Sequence, residues 1–206
     1  VLFDFDQAEL KAGAYPILDE AVMVLNDNPD LNIEIQGYTD STGEDDSEDE
    51  QAEASLNDAY RRALERRMID EAASASAGVV FLLGFALDRP QEAIAWSVHA
   101  LALAEASTTP GARGRVLNSL AAAYWNVGEL EEANTIYGQA AEQISAALGP
   151  EHPRLAVALE NQARVVNRLG RSAEAQVLAE RSLAIYEASL GPEHPSVAQS
   201  LIALGE

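Results

Sequence analysis

Six residues of this chain occur twice. Leu148-Gly149-Pro150-Glu151-His152-Pro153 returns letter for letter as Leu190-Gly191-Pro192-Glu193-His194-Pro195, 42 residues later. Such an identity marks tandem repetition, and a repeat of this length is one supersecondary unit that buries its apolar face only by stacking on its neighbours. The hexapeptide is itself punctuation: glycine closes a helix in a left-handed conformation, and proline suits the first turn of the next. Each copy is therefore expected to end one helix and start another.

At the same 42-residue offset Leu117 aligns with Leu159 and Leu201, Ala121 with Ala163, Gly128 with Gly170, and Ala133 with Ala175. The stretches 117–124 and 131–140 read as a helix pair with small residues at the crossing. This pattern resembles the tetratricopeptide repeat, in the long-period form found in kinesin light chains and many bacterial proteins. Leu120, Ala121, Tyr124, Gly128, Ala133, Tyr137 and Ala140 occupy its signature positions. The next repeat keeps Ala163, Gly170, Ala175 and Ser182, and a partial one runs from Pro195 to Gly205. The first repeat departs most, with Asp88 where the turn glycine belongs.

The resemblance implies a mainly α, right-handed solenoid in which the first helix of each pair lines the concave side. Its outward polar residues form the candidate peptide groove: Asn118, Trp125 and Asn126, then Glu160, Asn161, Arg164, Asn167 and Arg168, then Gln199. Asparagines can hold an extended backbone, Arg164 and Arg168 can select a carboxylate, and Trp125 offers an apolar anchor. His152 and His194 sit in the same turn one repeat apart with no third ligand in sight, so they read as turn residues and no metal site is expected.

Charge divides the chain. The net charge is −21, of which the residues up to Ala59 carry −16, with 17 acids against Lys11. From Tyr60 onward 17 acids face 12 arginines, leaving −5. Nucleic-acid binding needs a basic footprint that is missing here. With no cysteine in the sequence, disulfides and thiolate chemistry are excluded. The longest apolar run, Ala77 to Leu87, falls short of the roughly 20 residues of a membrane span and reads as buried core.

The amino-terminal stretch alternates apolar and acidic residues from Val1 to Asp6, turns helical in period from Ala14 to Leu25, and alternates again from Leu31 to Ile35. The expectation is strand, helix, strand. Phe3 to Leu10, the helix Tyr15 to Leu25 and the loop Gly37-Tyr38-Thr39-Asp40-Ser41-Thr42-Gly43 resemble the OmpA-like peptidoglycan-binding domain. In that family the aspartate of the loop and a downstream arginine bind the diaminopimelate of the stem peptide, which implies Asp40 and, through the dipeptide Arg62-Ala63, Arg62. Asp58-Ala59 stands where the family has Leu-Ser. A carboxylate facing an ammonium group is sound chemistry for such recognition.

The acidic run Glu44 to Glu50 repels itself and reads as a linker or surface loop. A helix is expected over 55–73. Residues 78–90 admit two readings: the last strand of the OmpA-like domain, since Gly84 to Pro90 approaches its usual ending, or the first helix of a repeat. Glu92-Ala93-Ile94 matches later repeats and favours the helix.

The expected organisation is a partial OmpA-like α+β segment at 1–43, an acidic linker at 44–54 and a solenoid at 55–206, with repeats at about 74–110, 111–152, 153–194 and 195–206. The chain opens inside an expected strand and stops just after a helical pattern begins, as a piece of a longer protein does. No catalytic constellation, phosphate loop or zinc motif is present, so a non-enzyme without cofactor is expected. The partners are a protein or peptide in the groove and, through the amino-terminal segment, peptidoglycan. The expected location is the periplasm or cell envelope, or the cytoplasm if the OmpA-like segment is a remnant and the repeats act alone.

Overall fold

The computed structural model describes residues 45–205, with side chains for 51–198, 200 and 201. The expected strand-helix-strand of 1–43, and Asp40 with it, lie outside the described residues. Among the described residues eight helices follow one another: α1 (Asp45–Glu65), α2 (Ile69–Phe81, extended by a π-helical turn Leu82–Ala86), α3 (Pro90–Ala106), α4 (Ala112–Val127), α5 (Leu130–Leu148), α6 (Pro153–Arg168), α7 (Ser172–Leu190) and α8 (Pro195–Gly205). No strand occurs among the described residues. Each helix packs on the next, so α2/α3, α4/α5 and α6/α7 are hairpins and α8 opens a fourth.

Two expectations meet their outcome here. Residues 78–90, open between strand and helix, are helical through Ala86. The run expected as an acidic linker is instead the opening of α1. Its acids stand in the first turns of a helix, where the exposed N–H groups and the macrodipole favour negative charge. The later turns add Arg62 Nε to Asp58 at 2.7 Å, Arg61 to Asp58, and Arg61 to Glu65 at 3.1 Å. These are spacings at which opposite charges support a helix.

α1 also has a tertiary role. Ala63 is buried, and Leu56 packs against the cluster formed by Val79, Val80, Leu83, Ala93 and Val116. Tyr60 meets Trp96 of α3 edge to face at 5.2 Å, and Glu53 accepts from Arg89 at 2.5 Å. α1 thus lies on the first hairpin as the second helix of a preceding pair would, with its charged face outward.

The hexapeptide behaves as its composition demands. Gly149 (φ 99°, ψ 162°) and Gly191 (φ 89°, ψ 157°) end α5 and α7 in a backbone region open essentially to glycine alone. His152 caps α6 with its own side chain, Nδ1 accepting from the Arg154 N–H at 3.1 Å, and His194 Nδ1 accepts from Ser196 N–H at 3.2 Å. Pro153 and Pro195 then start their helices.

Within the hairpins the turn chemistry differs. Gly128 and Gly170 adopt φ of 86° and 80°, and the following N–H reaches back five residues, Glu129 to Tyr124 O and Arg171 to Val166 O. In the first hairpin Asp88 takes that place at φ 48°, and Arg89 N–H reaches back six, to Leu83 O. The longer reach goes with the π-helical turn. Asp88 lies 40 residues before Gly128, not 42, and α3 has 17 residues where α5 and α7 have 19.

α2 and its π-helical turn form an 18-residue stretch apolar and long enough to cross a membrane by composition, and half of it is buried in the stack. Its buried face is made of small residues, Ala72, Ala73, Ala75, Ser76 and Ala77, followed by Val79, Val80 and Leu83. This is the pattern of a core helix packed closely on both sides.

Candidate peptide groove

The first helices of successive hairpins meet, α2 on α4 and α4 on α6. The surface along α2, α4, α6 and α8 carries the residues expected to form a groove.

The third hairpin supplies its charge. Arg164 and Arg168 are exposed on α6, one turn apart. The Arg168 guanidinium lies 5.2 Å from the ring centroid of Trp125, a cation–π contact that joins α6 to α4. Trp125 is half-buried against Ala121, Ala133, Tyr137 and Val165. It thus offers one face of an indole whose other atoms are fixed by packing.

Glu160 is half-buried one turn before Arg164 and accepts from the Tyr186 hydroxyl at 3.4 Å. Burial pushes its carboxyl above the ordinary glutamate range; the charge of Arg164 and then the Tyr186 hydrogen bond oppose the rise. Tyr137, from α5, is buried, and its hydroxyl is pushed well up by desolvation, with Arg164 again opposing. Arg164 is therefore a cation whose charge acts on two desolvated acidic groups on different helices. Asn161, next to Glu160 in sequence, is half-buried.

Other expected groove residues are engaged within the fold. Asn126 Nδ2 donates to Gly84 O at 2.5 Å, across to α2. A π-helical turn leaves carbonyls without their usual intrahelical partner, and Asn126 satisfies one of them. Asn167 Oδ1 accepts from Ser172 Oγ at 3.1 Å and ties the α6–α7 turn. Asn118 is half-buried, and its Oδ1 has no hydrogen-bond partner. The side chain of Gln199 lies outside the described residues. Arg62 is exposed on α1 and paired with Asp58; Asp40, its expected companion, lies outside the described residues.

Two features escaped the sequence reading. Gln162 Nε2 donates to Asn134 Oδ1 at 3.0 Å, pinning α6 to α5. Phe85 is 57% exposed and stacked on Phe81 with centroids 5.2 Å apart. It precedes Trp125 by 40 residues, so both aromatic rings stand at one repeat position. Aligning Asp88 with Gly128 as turn residues gives the 40-residue offset that exposes this, whereas the 42-residue offset conceals it. Among the described residues no group of three or more histidines and carboxylates could hold a metal ion.

Residues 112–188 match the tetratricopeptide repeat family model, and residues 2–93 match the OmpA family model. The second match begins in the stretch outside the described residues and continues through α1, α2 and the first turn of α3. Among solved structures, BtubC (BKLC) from P. vanneervenii is similar over 80% of this chain and 65% of that one, with a TM-score of 0.67 and 18% identity. That likeness shows the fold, and this chain spans a little under two thirds of that protein. Two structures of a Podosopora anserina protein described as a kinesin light chain with nearly identical TPR-like repeats are 25% identical. They match over 77% of this chain and 82% of theirs, with TM-scores of 0.53 and 0.52. No curated protein matches the chain. Residues 112–188 thus match tetratricopeptide repeats and residues 2–93 an OmpA-family segment, and the helical stack is similar to that of kinesin-light-chain-like repeat structures.

Proposed function

We propose that the chain is a non-enzymatic protein-interaction scaffold of the bacterial cell envelope, whose repeats bind a partner peptide along α4 and α6. The observation that carries this reading is the exposed Arg168 held on the indole of Trp125, with Arg164 exposed one turn before it on α6. Tetratricopeptide repeats are interaction modules, and a guanidinium held on an aromatic face keeps its outer N–H groups aimed at a carboxylate. Asn161 supplies backbone hydrogen bonding to the bound segment.

The test is titration calorimetry with a capped hexa-aspartate peptide. Asn161→Ala and Arg164→Ala weaken binding about threefold or more while the melting temperature stays within about 2 °C of the parent, as surface changes do. Loss of folding in either variant would make these core residues and remove the groove.

The amino-terminal segment contacts peptidoglycan through Asp40, with Arg62 as the second ligand. The OmpA-family match supports it. Wild-type protein pellets with purified peptidoglycan and Asp40→Ala does not; equal pelleting of both sinks the assignment. One observation favours the runner-up, in which the repeats act alone beside a remnant that binds no peptidoglycan. The OmpA-family match extends into α1 and α2, and these helices are packed into the stack. Wild type remaining in the supernatant decides for that reading, and for a location outside the envelope.

A further inference from the structure

We infer that Glu160 is a built-in competitor for Arg164, setting how strongly the groove takes a carboxylate; this rests on the peptide-groove reading above. The hairpins differ at this position. Glu160 corresponds to Asn118 one repeat earlier, and Tyr186 to Ile144, at the same 42-residue offset. The second hairpin thus has a neutral amide and an aliphatic side chain at these two positions. The third sets a carboxylate beside a hydroxyl that donates to it at 3.4 Å.

The placement gives this pair its consequence. Glu160 lies one helical turn before Arg164, so an ionised carboxylate there offsets the guanidinium a ligand would use. A half-buried carboxylate is less screened than a surface one, and its reach to Arg164 is correspondingly greater. The groups acting on Glu160 are Arg164 from its own helix and the Tyr186 hydroxyl from α7. Arg164 also acts on the Tyr137 hydroxyl, from α5. α8 carries no titratable side chain along Pro195–Gly205. Burial favours the neutral acid, and once Glu160 takes up a proton Arg164 faces the groove uncompensated.

Two consequences distinguish a competitor from a structural residue. Removing the charge while keeping the shape strengthens binding of an anion, where loss of a merely structural group would weaken it. Lowering the pH strengthens binding in the parent and leaves the charge-free variant flat.

The experiment is calorimetry of the full chain with the capped hexa-aspartate peptide at pH 7.5 and pH 5.5, a window in which aspartate, with an ordinary pKa of about 3.9, stays ionised. Glu160→Gln binds about threefold tighter than wild type at pH 7.5, in keeping with the worth of a partly exposed ion pair. Wild type tightens on going to pH 5.5, and Glu160→Gln changes less. The three histidines are present in both proteins, so their titration cancels in the comparison. The double variant Glu160→Gln, Arg164→Ala loses the gain, because the two effects run through one guanidinium. Circular dichroism melts of each variant establish folding.

If Arg164→Ala weakens binding but Glu160→Gln matches wild type at both pH values, the competitor is overturned while the groove stands. If Arg164→Ala binds as wild type does, the groove reading itself falls.

Discussion

The second and third hairpins solve the same packing problem with different chemistry. Gly114 and Ala140 in one hold the places of Ala156 and Ser182 in the other. A Cβ on Gly114 would meet Ile144 Cγ1 at 2.5 Å, with the Ile144 N and Ala140 O backbone atoms at 3.1 and 3.2 Å. So α4 and α5 approach until only hydrogen fits between them. In the third hairpin Ala156 is fully buried without such crowding, and Ser182 Oγ donates to Ala156 O at 2.8 Å. Close approach is fixed by the absence of an atom in one case and by a directed hydrogen bond in the other. The lesson is that a repeat specifies a distance between helices, and the side chains that achieve it can change.

The strongest way to break this comparison is Gly114→Ala. Backbone atoms cannot swing aside as a flexible side chain does, so the change costs about 2–3 kcal/mol. In a protein of this size that lowers the melting temperature by roughly 4–12 °C. The opposite change in the third hairpin, Ala156→Gly, costs about 1 kcal/mol through helix propensity. Equal losses for the two would show that the hairpins are not packed differently.

Ser182→Ala sharpens the contrast from the other side. It removes a buried hydrogen bond worth about 1 kcal/mol and nothing else of size. Denaturant midpoints at constant slope measure it, and an unchanged midpoint would show that the serine fills space only.

The first hairpin adds a third solution, at the joint between α3 and α4. There Asp70 of α2 accepts from Ser107 Oγ at 2.6 Å, from Thr108 Oγ1 at 2.6 Å and from Thr108 N–H at 2.7 Å. Those bonds, the Ser107 one foremost, hold its carboxyl down to about 2. Because the folded value lies below the unfolded one, the clasp contributes fully above about pH 4 and is lost as pH falls toward 2. Asp70→Asn costs about 1 kcal/mol at pH 7, the site being open to solvent. The gap between variant and parent closes in acid; a gap of constant size at pH 2.5 would show that the charge is idle.

The smallest effect is a gain. Asp88 holds φ at 48°, where glycine stands in the next two turns. Asp88→Gly relieves that strain and adds chain entropy to the unfolded state, for a net gain of about 0.5 kcal/mol. A fall in melting temperature would show that Asp88 makes the turn through its side chain.

Much of this was legible in the sequence because repetition is a local code. The hexapeptide marks two joints, Gly128 and Gly170 mark turns, and Asp88 marks the irregular one. What escaped was long-range or was masked by composition. The acids of α1 resemble a solvated linker until their position at a helix start, ahead of Leu56, Tyr60 and Ala63, is taken into account. Asn126 looks like a groove residue until the widened turn of α2 presents a carbonyl 42 residues away. His152 was legible as a turn residue but not as a cap, since that depends on which way its ring turns. The Glu160–Tyr186 pair spans 26 residues and no spacing rule announces it.

The two joints built by the hexapeptide have nearly the same torsions at Gly149 and Gly191 and the same histidine cap. Matching torsions hand the chain on by matching rotation and rise, so those joints act as treads cut from one template. The α3–α4 joint, made with Gly111 and Asp70 instead, is a step of another cut. Copying the segment from one hexapeptide to the next would lengthen the staircase without altering its pitch, whereas copying the first hairpin would introduce a new bend.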